Sequence, residues 1–170
     1  MSLAAKGIWL LGGLALLCFA GLVYISKTQI EPAGFVIFDS LLLGYDGGDA
    51  RALLRAMSPA QMATYLGAFR TLDTVFPPLL MLTLWGIIWQ HTKAEPTYMR
   101  IGALLGPLLY LVFDLMENRS VAEILVAWPV VVDVDVAQAA IYTQAKWMCL
   151  ALGFLVALWA WRFAAKEPAI

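Results

Sequence analysis

The sequence predicts an all-α integral membrane protein, a four-transmembrane-helix bundle. The chain has 170 residues, of which 62% are hydrophobic and 14% are charged, whereas a soluble domain is about 45–50% apolar and about 25% charged. Four apolar runs each reach the roughly 17–25 residues that a membrane helix needs. Seven Trp and six Tyr residues are many for this length, and such amphipathic rings favour the membrane–water interface. We therefore expect residues 1–170 to form a single membrane domain.

The predicted spans cover residues 7–26, 74–91, 101–117 and 136–161. The first one imitates a secretory signal peptide, because Lys6 precedes its apolar stretch. Its 20 uncharged residues exceed the roughly 7–15 of a signal h-region. It is therefore expected to remain as a membrane helix.

A long, partly helical extracytoplasmic loop, residues 27–72, is predicted between the first and second spans. Its apolar stretch 35–45 has only eleven residues, too few to cross a bilayer, so the loop is expected to be interfacial or re-entrant. A short helix is predicted over residues 50–57. Ser58 and Gln61 have the spacing of a capping box, which predicts a helix that begins there and runs on into the second span.

The charges next to the spans predict an orientation. With four spans, both termini and the turn after residue 91 share one side, which carries five basic and two acidic residues, whereas the other segments have a net charge of −4. Positive charge in short segments at helix ends is typical of the cytoplasmic side. Both termini are therefore expected in the cytoplasm, and the expected location is a bacterial inner membrane.

Polar residues concentrate at the end of the third predicted span. Tyr110, Asp114, Glu117 and Asn118 follow one another by steps of three and four, which places them on one helix face. Ionisable groups at this depth are costly, and they usually face protein or a water-filled cavity. The span is expected to end with this motif, and residues 119–135 are expected to form a loop.

Two other spans bring ionisable side chains to the same level. Counted from the cytoplasmic helix ends, Asp73, Asp114 and Lys146 lie 18, 14 and 16 residues along their helices, or about 21–27 Å at 1.5 Å per residue. An unpaired buried charge is costly. We therefore predict that Lys146 pairs with at least one of Asp73, Asp114 and Glu117.

These residues define a candidate site. Neighbouring carboxylates with a lysine suit acid–base chemistry, because proximity and burial separate their proton affinities. The candidate catalytic residues are Asp114, Glu117, Lys146 and Asp73. The candidate substrate-binding residues, which can supply hydrogen bonds, are Tyr110, Asn118, Tyr142, Thr143, Tyr45 and Asp39. The last two belong to the long loop, which is expected to fold over the site.

Other kinds of site have little support in the sequence. It contains no Cys-x-x-Cys, no His-Glu-x-x-His, no phosphate-binding loop and no basic patch for nucleic acid. No nucleic-acid partner and no metal site are therefore predicted, although carboxylates in a cluster leave Mg²⁺ or Ca²⁺ open. The pattern does not specify a cofactor.

Two functional interpretations from different classes fit these residues. In the first, the protein binds or transforms a membrane lipid or another amphipathic small molecule at the outer leaflet. In the second, it is a non-enzymatic accessory or assembly subunit with partner membrane subunits, and the buried charges fix helix register. A proton or ion carrier fits less well, because the charges lie at one level and form no relay across the bilayer. The residues leave open whether the chain is an enzyme. A deep cavity with a polar floor would favour the first interpretation.

Overall fold

The computed structural model describes residues 2–163. Within this range the chain is helical and has no strand, and four helical runs are long and apolar enough to cross a membrane. These runs, the first to fourth spans, are Leu3–Ile30, Pro59–His91, Thr97–Ala127 and Asp133–Phe163. The prediction of an all-helical chain with four membrane-length helices is confirmed. Lys166 and Glu167, which contributed to the predicted orientation, lie outside the described residues.

The spans are built from shorter segments, and turns of wider π-helix lie at the end of the first span and near the start of the second. The segments in chain order are Leu3–Ile25 with the π-helical turn Ser26–Ile30, the 3-10 turn Phe38–Ser40, the helix Gly47–Ala56, Pro59–Thr64 with the π-helical turn Tyr65–Phe69, Arg70–His91, Thr97–Ala103, Leu105–Ala127 and Asp133–Phe163.

Ser58 starts the second span as predicted. The Ser58 hydroxyl accepts a hydrogen bond from the backbone N–H of Gln61 at 3.3 Å, and the Gln61 side chain accepts one from the backbone N–H of Ser58 at 2.7 Å. Such a capping box satisfies two helix N–H groups that have no partner inside the helix. A second box, between Asp46 and Asp49, starts the helix Gly47–Ala56 slightly earlier than predicted.

The third span is longer than predicted. Its helix continues past Asn118 as far as Ala127, so most of the expected loop is helical. Val121, Ile124 and Leu125 are buried, and their helical spacing gives these extra turns an apolar face to pack. The prediction was wrong because charged residues end an apolar run without ending a helix.

The spans pack as two antiparallel pairs, the first with the second and the third with the fourth. Gly106 brings the third and fourth spans together, since a Cβ at this position would lie 3.2 Å from the backbone nitrogen of Gly153. Small residues allow such approach between membrane helices. The first and fourth spans, by contrast, have almost no close backbone contact within the described residues. A gap therefore separates them.

Residues 31–58, here called the cap, fold over one end of the bundle. Phe38, Leu53 and Leu54 are buried in a core that also includes the outer ends of the spans. The Gln144 side chain donates to the Leu43 carbonyl at 2.7 Å, which ties the cap to the fourth span. The cap contains no helix of membrane-spanning length.

Candidate functional site

Three carboxylates surround the ammonium group of Lys146. Its Nζ lies 3.3 Å from Asp39 Oδ1 and 3.2 Å from Asp114 Oδ1, and it also pairs with Glu117 Oε2. The four residues are buried. Of these three ion pairs, the one with Asp39 also has hydrogen-bond geometry. The predicted pairing of Lys146 is confirmed, with Asp114 and Glu117 as partners.

Asp39, which the sequence placed among the substrate-binding candidates, is an ion-pair partner of Lys146. The 3-10 turn Phe38–Ser40 inserts it from the cap, where Tyr65 Oη donates to its Oδ2 at 2.6 Å and Trp147 Nε1 donates to its backbone carbonyl at 3.0 Å. Sequence reasoning placed Asp39 in a covering loop and missed both donors. Trp147 could have been recognised as a neighbour of the cluster, because it directly follows Lys146 in the sequence. No sequence feature marked Tyr65 as a site residue. The π-helical turn Tyr65–Phe69 changes the direction of the Tyr65 side chain relative to the rest of the span.

One part of the cluster is closed off by protein. Glu117 is 0% exposed, and its carboxylate accepts a hydrogen bond from Thr143 while it pairs with Lys146. Tyr45 of the cap lies nearby, and its burial, reinforced by the Glu117 and Asp39 carboxylates, raises the pKa of its hydroxyl above the ordinary value. The Tyr45 hydroxyl therefore stays protonated at neutral pH and adds no charge.

Asn118 connects the motif to the second span. Its side-chain Nδ2 donates to Asp114 Oδ2 at 3.1 Å, and its backbone carbonyl accepts a hydrogen bond from the Arg70 guanidinium. Tyr110, Asp114, Glu117 and Asn118 are all buried, as expected for one face of a helix that points into the bundle. Asn118 therefore orients Asp114 and holds two spans together.

A cavity of about 460 Å³ lies where the first and fourth spans separate, and all four spans and the cap contribute to its lining. On the first span its lining extends from Gly12 to Lys27, a length of about 22 Å at 1.5 Å per residue. Apolar and aromatic residues form most of the wall. Thr83 lies beside Gly12 and its hydroxyl donates to the Leu79 carbonyl at 2.7 Å, whereas the charged members of the lining lie toward the capped end. The cavity is thus an elongated apolar slot that has one polar end.

The predicted site residues fall into three groups with respect to this cavity. Those that line it are Asp39, Asp73, Tyr110, Asp114 and Lys146. Those in the layer behind it are Glu117, Asn118, Thr143 and Tyr45. Tyr142 lies outside the cluster, where its hydroxyl accepts a hydrogen bond from Gln138 at 2.6 Å and its ring stacks on Phe113. Tyr142 and Thr143 are consecutive on a helix, so their side chains point about 100° apart.

Asp73 differs from the other carboxylates. It is 5% exposed and lines the cavity, yet its Oδ2 has no hydrogen-bond partner among the described residues. It also forms no salt bridge with Lys146 in this part of the chain. Buried polar atoms are nearly always hydrogen-bonded, so Asp73 is an incompletely bonded carboxylate in the wall of the cavity. Chemically it can accept a hydrogen bond or a proton.

The arrangement does not resemble a metal centre. Among residues 2–163, no group of three or more His, Cys, Asp and Glu side chains is placed to hold a metal ion. The ammonium group of Lys146 occupies the position at which a cation would meet Asp39, Asp114 and Glu117.

Comparisons with protein-family models, curated proteins and solved structures find no match for this chain. The functional argument therefore rests on the geometry of the site.

Proposed function

We propose that this protein binds an amphipathic, lipid-like molecule, with its tail between the first and fourth spans and its polar end at the Lys146 cluster. The observation that carries the proposal is the cavity. Its volume of about 460 Å³ falls within the roughly 300–1,000 Å³ of small-molecule sites, which typically combine an apolar wall with a few convergent polar groups. Its long shape and single polar end are those of an amphiphile.

The gap between the first and fourth spans gives such a molecule a route. Because these spans hardly touch, a hydrocarbon tail can enter sideways from the bilayer without passing through water. Leu16 marks this entrance, since it is 68% exposed and also lines the cavity. With cytoplasmic termini, the cap lies outside and the head group comes from the outer leaflet.

The same residues suit acid–base chemistry on a bound molecule. Asp73 would exchange the proton, because it lines the cavity and forms no ion pair with Lys146 in the described part of the chain. Lys146 would hold negative charge on Asp114, since a positioned cation stabilises charge strongly in a site without water. Glu117 would act through Lys146, because it lies behind the cavity wall. An enzymatic form of the proposal therefore needs Asp73 and Asp114 in direct contact with substrate.

Native mass spectrometry of the purified full chain after mild extraction tests the proposal. We expect a retained lipid-like molecule in the unmodified protein and its loss in Leu16→Trp, because the larger ring fills the entrance. Leu17→Trp is the matched control, since Leu17 is 70% exposed and does not line the cavity. Absence of any retained amphiphile in the unmodified protein, or equal retention in both variants, would contradict the proposal.

A second candidate function is that of an accessory subunit. It is favoured by the closed part of the cluster, where Glu117, Thr143 and Lys146 satisfy one another like a pair that fixes helix register. Exposed valines at positions 130, 132 and 134 could then contact a partner. This function predicts a stoichiometric partner protein in the same native spectra, and retention of that partner by Leu16→Trp.

A further inference from the structure

Negative charge exceeds positive charge at the polar end of the cavity. Asp39, Asp73 and Asp114 line it together with Lys146, and Glu117 pairs with Lys146 from behind. With every group ionised, four carboxylates and one ammonium carry a formal charge of −3. Charge in a low-dielectric site is costly unless it is compensated. A ligand that brings positive charge would supply the compensation.

The nearby cations are already engaged. Lys146 forms ion pairs with Asp39, Asp114 and Glu117. Lys27, at the rim of the cavity, is 2.7 Å from Glu31. An anionic head group, such as a phosphate or a carboxylate, would therefore meet carboxylates and no free cation among the residues that line the cavity.

Asp73 shows where the compensation is needed. Asp73 is 5% exposed and lines the cavity, and its buried Oδ2 has no hydrogen-bond donor among the described residues. A hydroxyl group could donate one hydrogen bond to this carboxylate but would leave its charge uncompensated. A protonated amine supplies both the donor and the charge, and charge-assisted hydrogen bonds are the stronger kind.

We infer that the occupant of the cavity is an amphiphile with a cationic amine head group, which binds against Asp73 while its tail extends along the first span toward Gly12. This inference rests on the proposed function and adds the chemical class of the ligand. It concerns the charge of the head group, and so it can fail while the cavity still binds amphiphiles.

Four probes of defined head group test the inference on the unmodified full chain in detergent. Hexadecylamine, hexadecanol and palmitate share one chain length and differ in charge, and the fourth probe is a two-chain aminophospholipid. Affinities are measured by displacement of the retained molecule in native mass spectra. We expect hexadecylamine to bind about tenfold more tightly than hexadecanol, or better, from one charge-assisted hydrogen bond, and palmitate to bind least. Tight binding of the aminophospholipid would identify a membrane lipid as the source of the amine, and its exclusion would identify a free long-chain amine.

Asp73→Asn locates the effect. The variant should bind hexadecylamine about tenfold more weakly. Its affinity for hexadecanol should change by less than about twofold, because the amide keeps the size of the side chain and removes its charge. Asp135→Asn is the control, since it removes the same charge from an exposed position away from the cavity. It should change neither affinity.

The outcomes separate the two proposals. If none of the four probes binds saturably, the proposed function fails and the inference fails with it. If hexadecanol or palmitate binds as tightly as hexadecylamine, the cavity binds amphiphiles and the amine assignment alone is overturned. The probe series needs no variant, so it remains decisive even if Asp73→Asn fails to fold.

Discussion

Glu117 and Asp73 are both buried carboxylates in the same cluster, but their surroundings differ. Glu117 is bonded to Thr143 and Lys146 and lies behind the cavity wall. Asp73 lines the cavity and has an oxygen without a donor in the described part of the chain. An ion pair compensates the charge of a buried carboxylate, and Glu117 has one whereas Asp73 has none among the described residues. Burial alone therefore does not distinguish the two carboxylates, whereas ion pairing and position relative to the cavity do.

Removal of the shared cation should have the largest effect. Lys146→Met leaves three buried carboxylates without their partner, and we expect it to lower the free energy of unfolding by about 3–5 kcal/mol. Denaturant unfolding in detergent, followed by helical circular dichroism, measures this loss. Lys27→Met is the control, because Lys27 is half exposed and pairs only with Glu31, a bond worth about 0–1 kcal/mol. If Lys146→Met lowered the free energy of unfolding by only about a few tenths of a kcal/mol, the buried pairing would not exist.

Glu117→Gln and Asp73→Asn test the comparison directly. Glu117→Gln removes the charged partner of Lys146 and Thr143, and it should cost about 2–3 kcal/mol of stability. Asp73→Asn breaks no ion pair among the described contacts and should leave stability unchanged within about 0.5 kcal/mol. Thermal unfolding of the two variants in parallel measures the loss of stability of each. Equal losses would mean that the two carboxylates do not differ in the way described.

Tyr65→Phe addresses the anchoring of the cap. The substitution leaves Asp39 Oδ2 without its 2.6 Å donor, and we expect a loss of about 1–2 kcal/mol together with faster amide exchange in residues 37–41. Hydrogen-exchange mass spectrometry measures the second effect. Tyr24→Phe is the matched control, because Tyr24 is 62% exposed. Unchanged exchange in Tyr65→Phe would indicate that other contacts position Asp39.

The smallest effect is expected at the surface of the cap. Arg51 and Asp133 form a 2.5 Å salt bridge whose side chains are 35% and 71% exposed. Exposed pairs contribute about 0–1 kcal/mol and are weakened by salt. Arg51→Met should therefore change stability by less than about 1 kcal/mol, and the difference should shrink between low and high salt in thermal unfolding. A larger, salt-independent loss would place this pair with the buried cluster.

Much of the bundle could be predicted from local patterns. Apolar runs predicted four membrane-length helices, and the three-and-four spacing of Tyr110, Asp114, Glu117 and Asn118 predicted one buried face. The central position of Asp39 could not be predicted in this way, because it is 107 residues from Lys146 along the chain and only the folded cap brings the two together. The direction of Tyr142 and the cavity itself likewise depend on which helices are neighbours, and helical periodicity does not carry that information.

The weak contact between the first and fourth spans has a mechanical consequence. The first span is fastened mainly to the second, so a sideways swing of this one helix would widen or narrow the cavity. Such a swing would leave the bonds between Lys146 and its carboxylates intact, since all four residues belong to the cap and the other spans. In a bilayer, the lateral pressure of the lipid would act directly on that helix. Access to the site would therefore respond to the thickness and tension of the membrane, whereas the site itself keeps its shape.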